Sequence, residues 1–295
     1  IDTLSRSTAA ADSVLLNFTV DAFRLRGGRF VLHNYRQAPV KETPPDVLDF
    51  NHLDVFDIDI DINCFSFYDE VWSGQAPHIS MQDLSGFVLE ELAAEEATVS
   101  PTGVTLNGLK IETPYSLIGD QLSFQYDEYA DFAEFPDRVS IRSHLSSDSV
   151  ALRDIMVFAR GLRENNFFAK NREEVLSIHG VVRGEINNLR ANDLNIELTD
   201  GTLVQGNFTS NSLAVRNQEF LILELDRLRT RMSTLRELLP NFTPPANFDR
   251  LGRINFSGNF TGFFVDFVAN GDLRTDIGRA RMDMRMDLKE GRARA

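Results

Sequence analysis

Apolar and polar residues alternate along most of this chain. The clearest stretch is Leu176 to Phe208. Leu176, Ile178, Val182 and Ile186 fall on one parity, and Leu194, Ile196 and Leu198 share one parity further on. A period of two means strands with one buried face and one wet face. Gly180 and Gly184 replace side chains inside the first strand, where glycine marks close approach of another backbone. Turn chemistry sits at Asn187-Asn188 and Asp200-Gly201. The pattern recurs 78 residues on: Gly258 and Gly262 follow the first glycine pair, and Phe267, Ala269 and Asn270 follow Leu189, Ala191 and Asn192. Leu273 follows Leu194 by 79, one residue having been inserted. Internal repetition points to an elongated, stacked architecture.

The same alternation extends to both sides. Val14 to Phe18 and Phe23 to Leu32 read as strands, with Gly27-Gly28 between or within them; Pro39 and Pro44-Pro45 then mark a linker. In Leu48 to Phe67, Ile58, Ile60, Ile62 and Cys64 share one face and Asp57, Asp59, Asp61 and Asn63 the other. Ser85 to Ala97 is ambiguous, helical by composition but set among strands. Asn107-Gly108, flanked by Val104-x-Leu106 and Leu109-x-Ile111, predicts a hairpin turn. Tyr126 to Phe135 reads as an acidic, aromatic loop. Short helices are expected near Asp154 to Leu162 and over Ser233 to Leu239, the latter with Ser233 as N-cap and Pro240 as stop. From Ala280, Met282, Met284, Met286 and Leu288 oppose a face of Arg279, Arg281, Asp283, Arg285, Asp287 and Lys289. Strands every 10 to 12 residues give on the order of twenty, more than a sandwich usually holds.

Composition narrows the function. A formal net charge of −14 over 295 residues argues against nucleic acid as a partner. Phe is frequent at 23, against five Tyr and one Trp, which favours burial without polar handles. The lone Cys64 excludes an internal disulfide or a cysteine-based metal site. No apolar run reaches the length of a membrane-spanning helix. Asp57-x-Asp59-x-Asp61 lacks the glycine and the acid of a calcium loop, since Ile62 and Tyr68 hold those positions. The five histidines show no metal spacing, and there is no nucleophile elbow or phosphate loop. The run Arg227, Arg229, Arg231 and Arg236 reads first as a solvated helix face and second as a phosphate site. No enzyme, cofactor or structural metal is expected.

Several segments resemble a known family. Leu48-Asp49-Phe50-Asn51-His52-Leu53 with the Ile/Asp strand after it is similar to the repeating segments of TamB-type translocation and assembly proteins of diderm bacteria. So are Val104 to Tyr115, Gly180-x-x-x-Gly184-x-x-x-Asn188-Leu189 and Thr202-x-x-x-Gly206-x-Phe208. These proteins belong to the AsmA-like superfamily, and the likeness is to its Bacteroidetes-type branch, over roughly Leu48 to Leu288. The resemblance implies an all-β fold: an elongated, curled antiparallel sheet with an open apolar trough and a few short helices. Residues 1–46 would end a preceding repeat, 47–240 form the trough section and 241–295 start the next repeat, as an internal piece of a longer protein. The implied protein is periplasmic and anchored in the inner membrane through a segment outside this chain. It carries phospholipid acyl chains between membranes for outer-membrane biogenesis, with a BamA- or TamA-like β-barrel as a candidate partner.

The expected groove residues are Ile58, Ile60 and Ile62, then Leu194, Ile196 and Leu198, then Met282, Met284 and Met286, each trio on one face of its strand. A closed core would use the same residues. A structural or polysaccharide-binding β-module is the other functional reading, for which Trp72 is the only aromatic platform.

Overall fold

The computed structural model describes residues 17–36, 47–216, 218–240, 242–263 and 266–287. Pro39, Pro44-Pro45, Val14, Leu288 and Lys289, and with them the expected linker, lie outside the described residues. Fourteen strands form one antiparallel sheet in which each pairs with its neighbours in sequence. They are β1 (Phe18–His33), β2 (His52–Tyr68), β3 (Val71–Asp83), β4 (Val88–Ser100), β5 (Gly103–Glu112), β6 (Leu117–Gln125) and β7 (Ser140–Ala151). The second half holds β8 (Val175–Gly184), β9 (Arg190–Leu198), β10 (Leu203–Asn211), β11 (Phe220–Arg231), β12 (Arg253–Phe263), β13 (Asp266–Thr275) and β14 (Gly278–Asp287). Four short helices interrupt the meander: α1 (Phe135–Arg138), α2 (Leu152–Phe158), α3 (Asn166–Lys170) and α4 (Met232–Leu238). Strands hold 63% and helices 17%, so the fold is an all-β curled sheet, with helix well below the third usual in globular domains. The sheet runs unbroken past positions 46 and 240.

Several expectations are corrected. Among the described residues the strands number fourteen, fewer than the twenty expected of the whole chain, and many are longer than expected, up to 17 residues in β2. Bulges explain this. Positive φ angles at Asp57, Cys64 and Asp193 sit where the pairing register slips. A bulge adds one residue, so period-two parity changes across it and one long strand reads as two short ones. Cys64 does not join the isoleucine face; its φ is 51° and it is exposed. Asn107-Gly108 is not a hairpin turn but a bulge inside β5, with Gly108 at φ 57°. Gly27 likewise sits at φ 61° inside β1. Ser85 to Ala97 resolves mostly into β4. The Tyr126 to Phe135 loop is a 3-10 turn over Tyr129–Glu134 running into α1. Arg227 to Arg231 belongs to β11, not to a helix, and α4 starts one residue before Ser233, with Arg231 as N-cap.

The repeated glycines lie where strands press together. A β-carbon on Gly180 would stand 3.1 Å from the Asn192 carbonyl oxygen and the Leu194 α-carbon. One on Gly258, 78 residues later, would stand 2.6 Å from the Gly271 α-carbon, and the Asn270 carbonyl crowds it too. Their φ angles of 145° and 149° are open to glycine alone at little cost.

Candidate functional site: an apolar sheet face with a helical bridge

One face of the sheet carries an apolar row across all fourteen strands. Leu25, Ile60, Ile79, Leu92, Ile111 and Ile118 stand opposite one another from β1 to β6. Ile118 packs with Leu145, Val150 and Ile178 across β7 and β8. From Ile178 the row continues through Ile196, Val204, Leu228, Phe256 and Leu273 to Ala280 on β14. Directly opposed residues share a face, so the row is continuous.

The nine expected groove residues fall on or beside it. Ile60 and Ile196 belong to the row. Ile58 stands opposite Gly28, Ile62 opposite Phe23, Leu194 opposite Gly206 and Leu198 opposite Leu176. Met282, Met284 and Met286 stand opposite Gly271, Ala269 and Phe267. Ile58 is buried and the other eight are half-buried. The other face is charged. Asp61 pairs with Arg24 at 3.0 Å and Arg26 at 2.7 Å, Asp54 with Arg29 at 2.7 Å, and Lys110 with Glu112 at 2.8 Å and with Glu91.

The apolar face is covered in its middle by two inserts. One, Tyr126 to Val139, leaves the rim where β6 ends; the other, Leu152 to Glu174, leaves the opposite rim where β7 ends. They meet over the sheet. Phe135, Val139, Leu152, Met156, Ala159, Leu162 and Phe168 join Ile186, Leu213, Ala214 and Leu221 in one buried cluster. Phe124, Ile141, Leu176, Phe208 and Phe260 of the sheet pack against it. Phe50, before β2, packs with Phe132, Phe135 and Phe158 at 5.5 to 6.5 Å between ring centroids.

Polar contacts fix the inserts at the rims. Asp154 accepts from the hydroxyls of Thr113 at 2.6 Å and Ser116 at 2.5 Å, tying α2 to the β5–β6 turn. The Arg153 guanidinium lies 3.8 Å over the Tyr115 ring. On the other rim the Asp131 carboxylate accepts from the Glu128 and Asp127 backbone N–H groups and from Arg138 Nε. Those N–H bonds, Glu128's first, with the Arg138 charge, hold its pKa below the usual carboxylate range. Asn171 Nδ2 donates to the Leu238 carbonyl, joining α3 to α4. Asp200 anchors α4 through Thr234. Burial pushes its carboxyl up, but the hydroxyls of Thr234 and Thr202 and the Thr202 N–H outweigh this and leave it below its ordinary value.

The helix expected near Asp154 to Leu162 is present as α2 and the 3-10 turn after it, but the covering of the sheet by the two inserts went unread in the sequence. Its signal was present: Phe132, Phe135, Phe167 and Phe168 cluster where the alternation breaks. Trp72 forms no isolated platform, since it packs on Phe18, Phe65 and Phe67 at 4.5 to 6.2 Å. Among the described residues no three His, Cys, Asp or Glu side chains cluster for a metal, and no helix is long and apolar enough to cross a membrane. Compared with models of known families, with curated proteins and with solved structures, the chain matches none.

Proposed function

We propose that the chain is a section of a bridge that shields phospholipid acyl chains along an apolar sheet face, for transfer between two membranes. The observation that carries this reading is the unbroken apolar row from Leu25 to Ala280, backed by a charged outer face. The apolar wall on each flank of the bridge holds acyl chains by the hydrophobic effect, at about 25 cal/mol per Å² removed from water. Fourteen strands about 4.8 Å apart span roughly 60 Å, and a 13-residue strand is about 43 Å long. The acyl layer of one leaflet is about 15 Å deep, so each flank of the bridge has room for whole tails. The resemblance to TamB-type proteins supports the same reading, and with it a periplasmic setting, inner-membrane attachment outside this chain and a β-barrel partner in the outer membrane. The acid balance speaks against nucleic acid. No reaction step is needed.

The test is lipid extraction and mass spectrometry of the purified chain, beside the Met282→Asp/Met284→Asp variant. Co-purifying phospholipid that falls in the variant supports the reading; a folded parent free of lipid overturns it.

A further inference from the structure

The rim where β11, β12, β13 and β14 turn is crowded with cations. Arg231 stands directly opposite Arg253, and Arg274 directly opposite Arg279. Arg229 joins them across Asn255, which separates it from Arg274. Like charges placed directly opposite across a sheet repel. Of these five, Arg253 is matched: its backbone N–H and Nε both donate to Asp276. The nearby Asp249 is taken by Arg236 at 2.8 Å. Among the described residues no carboxylate lies within ion-pairing distance of Arg229, Arg231, Arg274 or Arg279. Arg231 stands farther off but close enough for its charge to help hold down the carboxyls of Asp200 and Asp276, so three guanidinium groups, those of Arg229, Arg274 and Arg279, stand without a matching acid among the described residues, in a chain whose net charge is −14. At the opposite rim of the same strands the described residues have the reverse balance, with Asp266 and Asp287 beside Arg285.

Shape and position add to the charge. A recess of about 400 Å³ opens between Arg231, Ser233, Asp249, Gly252, Arg253 and Asp276, its two acids paired with Arg236 and Arg253, and one of about 310 Å³ lies along Arg274, Arg279, Arg281 and Asp272, the last paired with Arg281. The apolar row runs at the same height on the other side of these strands: Leu228, Phe256 and Leu273 each adjoin a residue of the cationic row in sequence. The strands end within two or three residues of that point, about 7 to 10 Å at 3.3 Å per residue. An arginine side chain bridges much of that distance, and its planar fork matches phosphate oxygens.

We propose that this rim binds a phosphate ester, the headgroup of an anionic phospholipid whose tails lie on the apolar face. The proposal rests on the trough reading and adds to it a direction: headgroups leave over the arginine rim, not over the rim of Asp266 and Asp287. It also assigns a headgroup preference, phosphate monoester above zwitterion, because a zwitterion brings its own cation.

The test uses the 295-residue chain and dihexanoyl phosphatidic acid below its micelle concentration, with dihexanoylglycerol and inorganic phosphate as the other two probes, all by titration calorimetry. The variants are Arg274→Gln/Arg279→Gln and Arg231→Gln, with Arg274→Lys/Arg279→Lys to restore charge. All lie on exposed positions, and circular dichroism checks the fold. The expected result is phosphatidic acid bound more tightly than dihexanoylglycerol. The glutamine variants should lose roughly ten- to a hundredfold of that affinity, as for a charged hydrogen bond, with dihexanoylglycerol unchanged and the lysine variant partly restored. Equal binding of the two lipids, untouched by the variants, overturns the headgroup site and leaves the trough standing. No binding of either lipid overturns the trough. Inorganic phosphate bound in the parent and lost in the variants, without any lipid binding, overturns the lipid source and identifies a free-phosphate site.

Discussion

The middle of the sheet and its β14 end carry the same alternation of residues and use it in opposite ways. Over β6 to β9 the apolar face is covered by the inserts, and Met156, Leu162 and Val139 are each 1% exposed or less. Leu194 and Ile196 pack there against Leu145, Val150, Ile178 and Ile155 of α2. At β14 the three methionines are half-buried, on the last described strand of the sheet, which pairs only with β13. Whether a period-two strand lines a core or an open wall is therefore decided by the loops, not by the strand.

One substitution placed in both regions tests this most sharply. Ile196→Asp puts a carboxylate among apolar neighbours and should cost about 3–5 kcal/mol, read as a fall in the urea midpoint. A loss below about 1 kcal/mol would mean that the bridge does not pack on β9. Leu162→Ala, inside the bridge, should cost about 2–5 kcal/mol for lost burial and the cavity left behind. Met284→Asp should stay within about 1 kcal/mol, because its side chain reaches water from the last strand. A large loss at Met284 would make the two regions alike.

The smallest effect concerns pH. Asp131 is held below the usual carboxylate range by hydrogen bonds made only in the fold. Its contribution is full above the unfolded value near 4 and is lost as pH falls through the lower folded value. Asp131→Asn should therefore flatten the acid limb of the stability profile below about pH 4 and leave its slope at neutral pH unchanged. An unchanged acid limb would remove Asp131 as the clasp of the first insert.

Strand identity and facing were legible in the sequence. Ile58-x-Ile60-x-Ile62, Leu194-x-Ile196-x-Leu198 and the methionine trio each lie on the face that alternation assigns them. Strand ends were not, because a bulge at Asp57 or Asp193 and a true turn leave the same break in parity. Asn107-Gly108 illustrates the ambiguity: a glycine at φ 57° serves a bulge as well as a turn. The bridge was legible only in part, for another reason. The helix near Asp154 to Leu162 showed in its spacing and is α2 with the 3-10 turn after it, but α1 and α3 are four and five residues long, too short for a helical period to emerge, and their packing over the sheet comes from contacts distant in sequence. The cationic rim is assembled from four strands, so Arg231 and Arg253 meet only through register.

Pairing restricted to sequence neighbours has a mechanical consequence. A load applied through β1 and β14 acts across the strands, along the direction of their hydrogen bonds. Such a sheet yields by peeling one hairpin at a time rather than by shearing all its bonds together, as expected of a quasi-one-dimensional array. The extension trace should show a ladder of small steps. The bridge interrupts that ladder, because Phe50 near β2 and Leu221 on β11 are held by the same cluster, so the central strands should release as one event.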